Sequence, residues 1–123
     1  MTLRCLLVDD SARFLEAACA LLERGGVRVV GLATTGAEAL ALARQAAPDV
    51  ALVDLDLDGE NGFDVARLLT GEVPAVILVS THFREDFQEL IAASPARGFL
   101  HKSALSARAI QEVIGNDDPG APT

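Results

Sequence analysis

Three short apolar runs in this chain end in charge, and that pattern restricts the fold more than anything else in the sequence. Leu3 to Val8 runs into Asp9 and Asp10, Val50 to Val53 runs into Asp54, and Ala96 to Leu100 runs into His101 and the lone lysine, Lys102. Runs of this length with no polar alternation read as strands buried on both faces, which belong inside a parallel sheet covered by helices. If the three strands lie near one another, three carboxylates and one ammonium meet at a single sheet edge. Like charges brought together oppose each other's ionisation unless a cation sits among them, so a hard divalent ion is implied. Magnesium suits the donor set, because it takes one or two carboxylates and keeps positions open for water and phosphoryl oxygens.

The remaining pattern completes the sheet. Ser11 stands where a helix begins, with Phe14, Leu15, Ala18, Leu21 and Leu22 at helical spacing and Gly25-Gly26 as the stop. Val27 to Leu32 reads as the second strand, and Thr35 caps a helix that ends before Pro48. After the strand closed by Asp54 comes a loop, then a helix from Phe63 to Leu69, the strand Ala75 to Ser80, a helix from Glu85 to Ala93, and the strand ending near Leu100. Ser103 or Ser106 caps a last helix that Gly115 is expected to stop, leaving 116–123 as a frayed tail or the start of a linker after a domain spanning 1–115. Five strands alternating with five helices give an α/β fold. Right-handed crossovers leave few topologies, of which the expected one is a flavodoxin-like, five-stranded parallel sheet of order 2-1-3-4-5 with helices on both faces. In that order strands one and three are neighbours, and their carboxyl ends flank the crevice where open α/β sheets bind ligands.

Charge narrows the function classes. The 123 residues carry 18 acidic against 10 basic side chains, a formal charge of -8, which disfavours a phosphate backbone or an anionic membrane as partner. No apolar run approaches the roughly 20 residues that span a bilayer, and the beginning of the sequence has no signal-peptide pattern, so a cytoplasmic location is expected. Cys5 and Cys19 fall in apolar patterns and read as small buried hydrophobes rather than a disulfide.

Taken in order, Leu6-Leu7-Val8-Asp9-Asp10-Ser11, the segment from Leu52 through Asp54 to Gly62, Val76 to Ser80, and Gly98-Phe99-Leu100-His101-Lys102 resemble the receiver domains of two-component response regulators. The resemblance covers residues 3 to about 114 and is nearest in character to receivers joined to helix-turn-helix transcription regulators. It implies that Asp54 accepts a phosphoryl group from a phosphohistidine of a sensor histidine kinase. It also implies Mg²⁺ held by Asp10 directly, by Asp9 largely through water, by the Asp54 carboxylate and by the backbone carbonyl of Asp56. Lys102 would hold a phosphoryl oxygen; Ser80 would bond the phosphoryl group once present, and Phe99 would follow that movement. Self-phosphorylation from small donors, autodephosphorylation and a phosphorylation-dependent homodimer using apolar exposure on the last two helices complete the expectation. Asp58 and Ser103 stand where the family often has proline, and Thr81 replaces the usual alanine or glycine.

Other readings of the same residues are weaker. Asp54-Leu55-Asp56-Leu57-Asp58-Gly59 matches the first half of a calcium loop, but Val65 occupies the position that needs a bidentate glutamate. The same segment is similar to the nucleophile motif of haloacid-dehalogenase-type phosphatases, and a small Mg-dependent phosphatase or phosphotransferase using Asp54 is the alternative function; that reading leaves Asp9 and Asp10 unexplained. A dinucleotide fold is excluded, since the first strand leads into two aspartates where phosphate-binding glycines belong. His82 and His101 read as exposed loop and strand-end residues with no relation to each other.

Overall fold

The computed structural model describes residues 2–57 and 59–116; Asp58 and the expected tail beyond Asn116 lie outside the described residues. In chain order the elements are β1 (Arg4–Val8), α1 (Ala12–Arg24), β2 (Arg28–Ala33), α2 (Gly36–Ala46), β3 (Val50–Asp54), β4 (Asp56–Leu57), β5 (Glu60–Asn61), α3 (Gly62–Leu69), β6 (Ala75–Ser80), α4 (Gln88–Ala93), β7 (Gly98–His101) and α5 (Ala107–Asn116). Five strands form one parallel sheet in the order β2-β1-β3-β6-β7, which is 2-1-3-4-5 when only its own members are counted.

Alternation along the strands builds two cores. Leu6, Val8, Ala51, Val53, Val76, Leu78 and Phe99 point to one face, where Ala39 and Ala43 of α2 and Val65, Ala66 and Leu69 of α3 cover them. Cys5, Leu7, Val50, Leu52, Ile77 and Val79 point to the other, under Leu15, Ala18 and Leu22 of α1 and Ile110 of α5. Both faces of the central strands are therefore apolar, and polar groups are confined to their ends. The caps follow the sequence signals: Ser11 accepts from Phe14 N–H, Thr35 from Glu38 N–H, and Ser106, not Ser103, from Ala109 N–H.

Several expectations give way to local geometry. The segment after Asp54 is not an open loop: β4 and β5 pair antiparallel, Asp56 opposite Asn61 and Leu57 opposite Glu60. The single helix expected over Glu85 to Ala93 is split into a 3₁₀ turn (Arg84–Phe87) and a short α4, neither of which contains a buried residue. Gly115 does not stop α5, which continues to Asn116. Apolar exposure is expected on the last two helices, but among the described residues only Leu90 of α4 (55%) is a large exposed hydrophobic there. Phe83 (65%) lies in the turn before α4, Leu68 of α3 is exposed to the same 55%, and in α5 Ile110 is buried while Val113 and Ile114 pack partly against the core. No helix among the described residues is long and apolar enough to cross a membrane.

Gly62 fixes where α3 starts. Its N–H donates to Leu55 O at 3.0 Å, and a Cβ there would run into the Asp54 carbonyl oxygen and the Leu55 backbone. The helix is thereby pressed against the chain carrying Asp54. Gly62→Ala is expected to destabilise the protein by about 2–4 kcal/mol through backbone displacement, read from urea denaturation, whereas Gly71→Ala, where a Cβ meets nothing, should fall within about 0.5 kcal/mol of the parent.

Candidate functional site

The carboxyl ends of β1 and β3 lie side by side, Val8 beside Val53, so the next residue of each strand brings Asp9 and Asp54 together. Both continue the alternation on the α1/α5 side and both are buried, at 1% and 4% exposure. Asp10, one residue further on, is exposed, yet carboxylate oxygens of Asp9, Asp10 and Asp54 all come within 4.8 Å of one another. Oxygens on one octahedral ion with ligands at 2.1 Å stand about 3.0 Å apart when adjacent and about 4.2 Å when opposite, so the three carboxylates would draw in toward one another to share Mg²⁺.

Lys102 follows directly on β7 and enters from the far side of the sheet. Its Nζ is 2.7 Å from Asp9 Oδ2 and 3.5 Å from Asp54 Oδ2, and lies 4.2 Å from the centre of the Phe14 ring in the first turn of α1. The two contacts with carboxylates differ in kind. Lys102 donates to Asp54 Oδ2, but its approach to Asp9 Oδ2, though closer, is not hydrogen-bond geometry, and that buried oxygen makes no hydrogen bond. Asp9 Oδ1 is satisfied by the Ser11 N–H at 2.8 Å. Asp9 Oδ2 is thus paired by charge with Lys102 alone, and three carboxylates facing one another around a single ammonium are a donor set that fits a further cation.

Asp54 Oδ1 accepts the Asp56 N–H at 3.3 Å, so the β4–β5 ribbon is tied to the phosphoacceptor candidate from the first residue of β4. Burial first, and the Asp9 charge second, push the Asp54 carboxyl up to about 6; Lys102 and the Asp56 N–H pull it back.

Ser80 and Phe99 share the other parity and do not join the cluster. Ser80 is fully buried, and its Oγ accepts the His82 N–H at 2.9 Å. Phe99 is buried against the α2/α3 face, with the Arg84 guanidinium 5.9 Å over its ring. Sequence reasoning missed three residues that frame the site. Phe14 packs under the lysine, and its signal was an aromatic in the first turn of the helix after the acidic pair. His82 reaches Asp56, with Nδ1 3.5 Å from Oδ2, and His101 hydrogen-bonds Thr81 O; both depend on turn conformations that carry no periodic signal.

The family model described as "Response regulator receiver domain" matches residues 5–114. Among curated proteins, the chain is 38% identical over 103 residues to Protein PilH of Pseudomonas aeruginosa, covering 80% of this chain and 84% of that one. It is 28% identical over 123 residues to the transcriptional regulatory protein LiaR of Bacillus subtilis, covering 98% of this chain but 58% of LiaR, so it spans little more than half of that regulator. The solved signal receiver domain of the putative response regulator NarL from Mycobacterium tuberculosis superposes with a TM-score of 0.80 at 33% identity, over 93% of this chain and 98% of that one.

The raised Asp54 carboxyl has a definite sign. A carboxyl that is harder to ionise folded than unfolded contributes stability below its unfolded value, and that contribution is lost as pH rises through the folded value. In chelator, Asp54→Asn should match the parent near pH 4 and exceed it above about pH 6.5 by about 1–3 kcal/mol, measured by urea denaturation. Saturating Mg²⁺ should narrow that gap by stabilising the parent selectively.

Proposed function

The chain belongs to the response regulator receiver domain family, and from that premise we propose that Asp54 is its phosphoacceptor, charged by a sensor histidine kinase. The observation that carries the reading is the pairing of Asp54 with Lys102 Nζ at 3.5 Å inside a cluster that also holds Asp9 and Asp10. A carboxylate is a competent nucleophile when it is positioned and its product is stabilised. One Asp54 oxygen attacks phosphorus, the bond from phosphorus to the donor nitrogen breaks, and the imidazole leaves with the electron pair. Phosphoryl transfer of this kind depends mainly on alignment and charge neutralisation.

Each residue of the cluster has a part in that reading. Asp9, Asp10, the Asp54 carboxylate and the Asp56 backbone carbonyl would hold Mg²⁺, which neutralises phosphoryl oxygens when bound. Lys102 offers a compact point charge beside Asp54. Its burial between Phe14 and two carboxylates keeps the ammonium fixed where the transferred oxygens arrive. The Asp56 N–H orients the nucleophile through Oδ1. Ser80 then exchanges its bond from His82 for one to the new phosphoryl group, and Phe99 follows. The segment that responds is the weakly buried stretch from Thr81 through α4.

The output is placed in partners that read this altered face, including a second copy of the chain through Phe83 and Leu90. An unchanged sedimentation profile after phosphorylation would remove the homodimer from this account. The phosphatase alternative uses the same Asp54 and differs in turnover, releasing many equivalents of phosphate without a stable adduct.

With acetyl phosphate and Mg²⁺, intact-mass measurement should show one added phosphoryl group on the parent and none on Asp54→Ala. Lys102→Ala should slow the labelling by about 10²-fold, the scale expected on removing one charge-stabilising donor. Rapid loss of acetyl phosphate with no adduct would instead identify a phosphatase.

A further inference from the structure

The pairing of β6 with β7 ends at Ser80 opposite His101, one residue before the turn that begins at Thr81 and one before Lys102. At this point His101 bridges the two departing segments. Its Nε2 lies 2.8 Å from Thr81 O, and its Nδ1 lies 3.1 Å from Ser103 N and 2.7 Å from Ser103 Oγ. A carbonyl oxygen can only accept, so Nε2 carries the proton; Nδ1, facing the Ser103 N–H, accepts. The ring thus caps the 3₁₀ turn that carries Lys102 (Lys102–Ala104) while donating to the turn that follows Ser80. Phe83 closes the arrangement by stacking on the imidazole, with centroids 5.0 Å apart and planes 24° from parallel. An aromatic side chain that is 65% exposed is held against one side of the ring.

The same turn holds Ser80 away from the acidic cluster. His82, between Thr81 and Phe83, supplies the N–H at 2.9 Å that occupies the Ser80 hydroxyl. The Ser80 hydroxyl keeps its own proton to donate to a phosphoryl oxygen, but turning the side chain toward Asp54 draws Oγ off the His82 N–H and so works against the turn from Thr81 to Phe83. His101 restrains both ends of that stretch, by a hydrogen bond at Thr81 and by stacking at Phe83. We infer that His101 is a positioning residue that stabilises the resting turn and so sets how readily Ser80 engages a phosphoryl group on Asp54. This inference rests on the phosphoacceptor reading of Asp54. A protein of which only a fraction is in the competent arrangement binds its ligand more weakly by that fraction, so loosening the turn tightens binding.

Beryllium trifluoride, a phosphoryl mimic that attaches to a carboxylate oxygen, provides the test, with ¹⁹F NMR reading its affinity in the presence of Mg²⁺. His101→Ala and Phe83→Ala are expected to bind it about three- to tenfold more tightly than the parent. His101→Gln, whose amide N–H reaches toward Thr81 O, should stay within about twofold of the parent. Mg²⁺ affinity without the mimic should match the parent in Phe83→Ala, since Phe83 touches neither the carboxylates nor the turn that carries Lys102, and comparing it across the series separates a shift of Lys102 in the His101 variants from the effect on the Ser80 turn. Unchanged or weaker binding by His101→Ala, in a series whose parent binds, overturns the inference. So does weaker binding by all three variants together with lower melting temperatures, which marks a purely structural role. Failure of the parent itself to bind overturns the phosphoacceptor reading, and the inference falls with it.

Discussion

Asp9 and Asp54 stand at adjacent strand ends, both buried, and their mutual repulsion is the constraint around which the rest of the site is arranged. Two carboxylates a few ångströms apart repel by roughly 4 kcal/mol at an effective dielectric of 20, a large fraction of a domain's net stability. One ammonium offsets only part of this. Lys102 sits against both acids, yet the Asp54 carboxyl is still pushed up to about 6 and Asp9 Oδ2 still lacks a hydrogen bond. The sheet supplies the rigidity that keeps the acids in place. Val8, Val53 and Val79 are each about 1% exposed or less, and Gly62 packs α3 against the Asp54 backbone. A fold that maintains such a cluster gives up stability to do so, as the proposed cation site requires.

Strand parity divides the site into a chemical half and a responding half. Asp9 and Asp54 extend the face covered by α1 and α5, where Lys102 and Phe14 meet them. Ser80 and Phe99 extend the opposite face, where the 3₁₀ turn and α4 contain no buried residue. Both faces are packed along the strands, and the unburied stretch is confined to the turn and α4 that follow Ser80. Asp54 and Ser80 belong to neighbouring strands, with Asp54 paired to Val79, so under the phosphoacceptor proposal charge added to Asp54 lies one strand from Ser80. Lys102 is the lone lysine among 10 basic residues, so the chain places a compact ammonium, rather than a guanidinium, at the one position facing both acids.

The parallel sheet and the acid cluster were legible because they follow from long-range rules. Apolar runs of strand length, alternating with helical spacing, leave few strand orders, and the flavodoxin-like one among them puts the residues after Val8 and Val53 together; β3 and β6 fall where the pattern places them. What escaped lies where no period exists. Two-residue strands such as Asp56–Leu57 leave no alternation to read. A helix pattern over Glu85 to Ala93 does not reveal that its first turn is 3₁₀. One glycine near the end of an amphipathic helix does not stop it when Ile110 is buried and Val113 and Ile114 already pack on the core. The contacts of His82 and His101 depend on how two turns approach each other after the strands end, which neither composition nor spacing encodes.

Reduction of the protein with borohydride after exposure to acetyl phosphate converts an aspartyl phosphate to homoserine and can be located by peptide sequencing. The account predicts homoserine at position 54 alone, formed with Mg²⁺ and absent when the ion is chelated. Label at another residue, or equal labelling of Asp54 without a divalent ion, would contradict the claim that the buried acidic cluster is a cation-dependent phosphoacceptor.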